Sequence, residues 1–176
     1  MTATPCTWWT SAVGCDVIPT VVTRAVVAEE LPAVLAWAAR RPGWTVEFDD
    51  PPLRLDVKTN HPATGTPLLI QADLEGYRAV APGWRFLNPA TGEAAGAPFP
   101  QPGSRPPIQG SIFHGNRVIC APWNRLAYQD NHGPHGDWGA LANWTDAAAG
   151  YTKADTLADM LSQIDLHLAV SPGIMP

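Results

Sequence analysis

Cysteine is scarce in this chain, with three among 176 residues. One of them, Cys120, lies in "IFHGNRVICAPWN", four positions after Asn116 and six after His114. Just downstream, "AYQDNHGPHGDW" supplies Asp130, His132, His135 and Asp137. A thiol followed by imidazoles and carboxylates can do nucleophilic chemistry, with the sulfur attacking a carbonyl carbon and an imidazole carrying the proton. Other readings of the same residues stay open. Taken alone, Cys120 is a small apolar side chain suited to a core. Zinc could be held by Cys120, His114, His132 and His135, although no second cysteine is near and an HxxH pair in a glycine-rich loop is a weak metal signal. A Cys–His hydrolase with His132 or His135 as base is the third.

The elements that must position these groups follow from periodicity. The spacing predicts a helix over about Glu29 to Arg41, with acidic residues at its start, Pro32 in its first turn, and Leu31, Leu35 and Ala38 or Ala39 on its buried stripe. The period then changes to two. "WTVEFD", "LRLDVK", "PLLIQADL" and "WRF" each place apolar residues on one face, which predicts a four-stranded antiparallel meander. A last helix is expected from about Lys153 to Leu168, capped by Thr152 and Asp155, with Leu157, Met160, Leu161, Ile164 and Leu168 buried. The fold class is therefore α+β, with a helix, a meander, an irregular segment carrying Cys120, and a helix.

Residues 1–28 read as an N-terminal extension and 29–176 as a single domain. Residues 88–110, "NPATGEAAGAPFPQPGSRPPIQG", have no apolar period and form a long proline-rich insertion of the kind that serves as a lid or a partner surface. A formal charge of −5 and the lack of a Lys/Arg cluster argue against a nucleic-acid partner. No apolar stretch is long enough for a bilayer, and "MTATPCTWW", with no basic segment followed by an apolar run, is not expected to be a signal peptide. Irregular cysteine spacing suits a reducing cytoplasm, and Cys6 and Cys15 read as idle thiols or a fortuitous pair. The eight tryptophans are assigned mainly to packing, with Trp123, Trp138 and Trp144 around the candidate site.

With these elements, three short stretches resemble the ubiquitin-conjugating (E2) enzyme family. "YRAVAPGWRF" places Tyr77, Pro82 and Phe86 at the family's spacing across the third and fourth strands. His114-Gly115-Asn116 is similar to the family's His-Pro-Asn motif, with glycine in place of proline, and Cys120 follows it as the catalytic cysteine does. The shorter Asn-to-Cys spacing and the proline-rich insertion set the chain apart from eukaryotic members. It looks more like divergent bacterial proteins encoded beside ubiquitin-like modifiers, E1-like adenylating enzymes and JAB-type peptidases, some of them linked to antiviral defence.

The resemblance implies a UBC-like fold and an enzyme that accepts a ubiquitin-like protein as a thioester on Cys120 and transfers it to an amine. It implies an E1-like donor, a JAB-type deconjugating partner, and no metal or organic cofactor. It gives Asn116 a role in oxyanion stabilisation or loop bracing, and His114, Tyr77 and Pro82 structural roles. Transfer to lysine has a physical demand of its own. An amine of pKa ~10.4 must lose a proton near pH 7, a deficit of about 4.6 kcal/mol, so His132 or His135 is expected to assist, with Asp137 nearby. An inactive E2-variant scaffold is the rival reading.

Overall fold

The computed structural model describes residues 20–146 and 152–176. Cys6, Cys15 and most of the expected N-terminal extension lie outside the described residues. Helix α1 spans Thr20–Ala39, strands β1 to β4 span Thr45–Asp49, Arg54–Asn60, Pro67–Asp73 and Gly83–Leu87, and helix α2 spans Leu157–Val170. The expected meander forms as read, antiparallel throughout in the order β1-β2-β3-β4. Register puts Val46, Val57, Ile70 and Phe86 in one row and Phe48, Leu55, Ala72 and Trp84 in the next. These rows form one apolar face. The opposite face is mostly polar apart from the Leu69–Leu87 pair, with Arg85 donating to Gln71, which donates to Asp56.

The first helix corrects the sequence reading. It begins at Thr20, and Pro32 sits in its interior instead of its first turn. The stretch "TVVTRAVVA" is rich in β-branched residues of low helix propensity, so burial of Thr23 and Val27 decides its conformation. Pro32 deprives the Ala28 carbonyl of a partner, which is tolerable because Ala28 is solvent-exposed. The buried stripe is Thr23, Val27, Val34, Trp37 and Ala38. Leu35, expected inside, is 48% exposed.

Glu30 lies on that stripe and does structural work. Its carboxylate accepts hydrogen bonds from the Tyr77 hydroxyl (2.9 and 3.0 Å) and from the Leu157 backbone N–H (2.8 Å). One side chain thus ties α1, the turn before β4 and the first turn of α2. Burial, reinforced by the Glu30 charge, holds the Tyr77 phenol protonated.

The second helix also starts elsewhere than expected. "TKADTLAD" contains two Thr-x-x-Asp pairs, and the working capping box is Thr156 with Asp159, four residues after Thr152 and Asp155. Starting there lets Leu157 N–H meet Glu30. The apolar stripe is as read: Leu157, Met160, Leu161, Ile164 and Leu168 are buried. Trp37 donates to Ser162 (2.8 Å) and Arg41 pairs with Asp165, which clamps α1 to α2.

The proline-rich segment is no free lid. Phe99 is buried edge-on against Phe86 and Phe113. Gln101 N–H donates to Gly173 O and Met175 N–H to Phe99 O, both at 2.8 Å, so the segment lies along the chain that follows α2. Among the described residues, no helix is long and apolar enough to cross a membrane.

Candidate active site

The apolar residues around Cys120 fix its position. Phe113 and Ile119 are buried in the core and bridge each other in antiparallel fashion, so residues 112–120 form a narrow hairpin. Cys120 N–H donates to Ile112 O (2.6 Å) and His114 N–H to Val118 O (3.0 Å). The tip, Gly115, Asn116 and Arg117, is exposed. Arg117 takes a left-handed φ of 61° there, and its guanidinium donates to Ala97 O at 3.1 Å, docking the tip on the proline-rich segment.

Asn124 holds the far side of Cys120. It is fully buried, and its amide oxygen accepts from Trp84 N–H (2.9 Å) and Leu126 N–H (3.2 Å). Its amide nitrogen donates to Ile119 O (2.7 Å) and Trp84 O (3.1 Å). One asparagine therefore joins the cysteine-bearing segment to β4 and caps the short turn Arg125–Ala127. The sequence reading missed it; an Asn before a helical turn is a recognisable cap, but its cross-links to β4 are not visible in sequence. Arg125 adds a second tie, its N–H donating to Pro82 O (3.0 Å) and its side chain pairing with Asp73.

The chain then loops round to run parallel to itself. A turn at Gln129–Asn131 ends on His132, which takes a left-handed φ of 65°. Gly133 allows the two segments to lie close, since a Cβ there would stand 2.2 Å from the Ala127 carbonyl carbon. His135 consequently pairs with Tyr128, donating its N–H to Ala127 O (3.0 Å) and accepting from Gln129 N–H (2.9 Å).

This brings His135 Nε2 into hydrogen-bond contact with Cys120 Sγ. On the other side of the ring, Nδ1 faces Asp137 Oδ1 at 3.3 Å. With the carboxylate accepting from Nδ1–H, Nε2 is left to accept from the thiol, so one tautomer satisfies both contacts. Thiol, imidazole and carboxylate lie in series, the order of a nucleophile, its base and an orienting group. Cys120 is half-buried, and burial followed by the nearby Asp137 charge pushes its thiol up to about 11. The resting sulfur is therefore protonated at neutral pH, with His135 Nε2 as the acceptor in contact with it.

The other sequence candidates are placed differently. His132 is exposed and its side chain makes no hydrogen bond among the described residues, so of the two histidines only His135 meets Cys120. The His114 ring is exposed, 6.3 Å from the His135 ring centre to centre, and the residue braces the hairpin through its backbone. Asn116 sits at the exposed tip with no side-chain hydrogen bond among the described residues. Tyr77, Pro82 and Phe86 lie in the packed scaffold under the site. Among the described residues, no group of three or more His, Cys, Asp or Glu side chains is arranged to hold a metal ion. No protein-family model, curated protein or solved structure matches this chain.

Proposed function

We propose that the protein is a cysteine acyltransferase of the E2-like kind, carrying the C-terminal acyl group of a ubiquitin-like protein as a thioester on Cys120 and delivering it to an amine. The observation that carries this reading is the contact between Cys120 Sγ and His135 Nε2. The two-helix, four-stranded antiparallel architecture is compatible with it.

In the first half-reaction Cys120 attacks the donor thioester carbonyl while its proton moves to His135. The tetrahedral adduct expels the donor sulfur, which takes the proton back from His135. In the second, the amine attacks the Cys120 thioester, His135 accepts the amine proton, and the same proton protonates departing Sγ. The net change is donor thioester plus amine giving amide plus thiol. Protonation of the leaving sulfur matters here, because a thiolate of pKa about 11 leaves poorly unaided. Asp137 orients His135 and offsets its charge while it is protonated. Asn116, exposed on the hairpin tip, is outside this constellation, so the oxyanion role implied for it is not part of the proposal.

A second reading rests on Asp137 completing the series. The same three groups could deliver the acyl group to water, as in a Cys–His hydrolase. Incubation with an E1-like adenylating enzyme, a ubiquitin-like modifier, ATP and lysine separates the two. A reductant-sensitive adduct on Cys120 that resolves to the lysine amide supports transfer. Resolution to free acid despite excess lysine supports hydrolysis. No adduct across a panel of modifier and E1-like pairs supports the scaffold reading instead.

A further inference from the structure

The Cys120–His135 contact leaves one face of the imidazole to be accounted for. Trp138 covers it, stacked on His135 with ring centres 3.7 Å apart and planes inclined by only 8°. Trp138 is itself held edge-on by Tyr128 (5.4 Å, 74°), and the buried Tyr128 hydroxyl donates to Pro122 O at 2.8 Å. Pro122 is two residues beyond Cys120. The contacts therefore close a ring: Cys120 to His135, His135 to Trp138, Trp138 to Tyr128, and Tyr128 back to the cysteine's own segment.

We propose that Trp138 is a positioning residue for the acyl-transfer site, its indole face favouring the imidazolium that forms when His135 takes the Cys120 proton. The inference rests on the reading of Cys120 and His135 as a reacting pair. An indole is the strongest of the aromatic faces for a cation, and the parallel stack places the whole imidazole over it. The titratable and charged groups around His135 are Cys120 at Nε2, Asp137 at Nδ1, the His114 ring 6.3 Å away, and Asp130 across the same small hollow, which the neutral Gln129 also lines. Asp137 is 80% exposed, so water screens its charge. The indole is not screened in that way, because it is in direct contact. Trp138 also blocks ring rotation that would take Nε2 away from sulfur.

Iodoacetamide is the probe, because it reports deprotonation of Cys120 whether or not any acyl donor is recognised. Trp138→Leu should slow alkylation of Cys120 by about three- to tenfold at pH 7.5. Trp138→Phe, which keeps an aromatic face, should stay within about twofold of the unmodified protein. The Leu variant's deficit should close above pH 11, where the thiol ionises without help from His135. Equal slowing in both variants, or a deficit that persists at high pH, would overturn the proposal in favour of a packing role. A normal Trp138 dependence with no acyl adduct under any donor would leave the clamp standing and remove the transferase reading.

Discussion

His61 and His135 each engage both ring nitrogens, but with partners of different kinds. His61, at the β2–β3 turn, is fully buried; its Nδ1 accepts from Ala63 N–H (3.2 Å) and its Nε2 meets Ser171 Oγ at 3.0 Å. Ser171 Oγ in turn donates to Gln101 O (2.8 Å), so this cluster sews the sheet, the chain after α2 and the proline-rich segment together. His135 instead faces a thiol and a carboxylate at a half-open surface. At His61 protonation only breaks a hydrogen bond, because Nδ1 must stay an acceptor. At His135 the facing group is a thiol, the nucleophile of the proposed transfer. In that proposal a histidine takes part in chemistry through the acidity of its partner and an open surface, not through being hydrogen-bonded.

The sharpest way to break that contrast is to exchange the consequences. Cys120→Ala should abolish acyl adduct formation completely and leave the denaturation midpoint unchanged. His61→Ala should do the reverse, lowering stability by about 3 kcal/mol while Cys120 alkylates at its usual rate. Intact-mass labelling and chemical denaturation read the two axes separately, and an inactive but folded His61 variant would erase the distinction.

Acid should act on the structural histidines. Burial lowers the pKa of His61, and lowers that of the fully buried His167 to about 4. Their neutral forms are favoured in the fold, so this stabilisation is present above about pH 6.5 and is lost as pH falls toward 4, where the unfolded chain binds more protons. The loss from His167 is on the order of 3 kcal/mol, measurable by denaturation at a series of pH values. A flat profile from pH 7 to 4 would contradict it.

Gly133→Ala tests the placement of His135 apart from its chemistry. The new Cβ would meet the Ala127 carbonyl carbon, so the segment after it must move and carry His135 off sulfur. Cys120 alkylation at pH 7.5 should fall about tenfold, with a smaller change in stability because the core is untouched. Retained reactivity would mean that the loop absorbs the methyl elsewhere. The smallest effect concerns α2: Thr156→Ala should cost about 1 kcal/mol through the lost cap, and equal reactivity of Cys120 in that variant keeps the scaffold and the site distinct.

The scaffold was legible where side chains follow a period. Alternation marked all four strands, and the Leu157-to-Leu168 stripe marked α2, because each element buries one face. Local signals failed where tertiary contacts chose between equal options. Thr152–Asp155 and Thr156–Asp159 are identical as capping pairs, and the contacts that distinguish them are tertiary: Leu157 N–H donates to Glu30, while the Thr152 carbonyl accepts from Trp123. The β-branched start of α1 concealed its first turns for the same reason. At the site, Cys120, His135 and Asp137 were readable as residue types, but the choice of His135 over His132 depends on a left-handed backbone at His132 and a close approach at Gly133. Asn124 and Trp138 act through contacts across the fold or between rings, which carry no spacing rule.

Single-turnover acylation of Cys120 by a peptide thioester, with and without His135→Gln, tests the central claim most directly. The unmodified protein should form a hydroxylamine-labile adduct on Cys120, and the variant should form it about a hundredfold more slowly at pH 7.5 while remaining folded. Equal rates in the two proteins, or labelling that bypasses Cys120, would contradict the account.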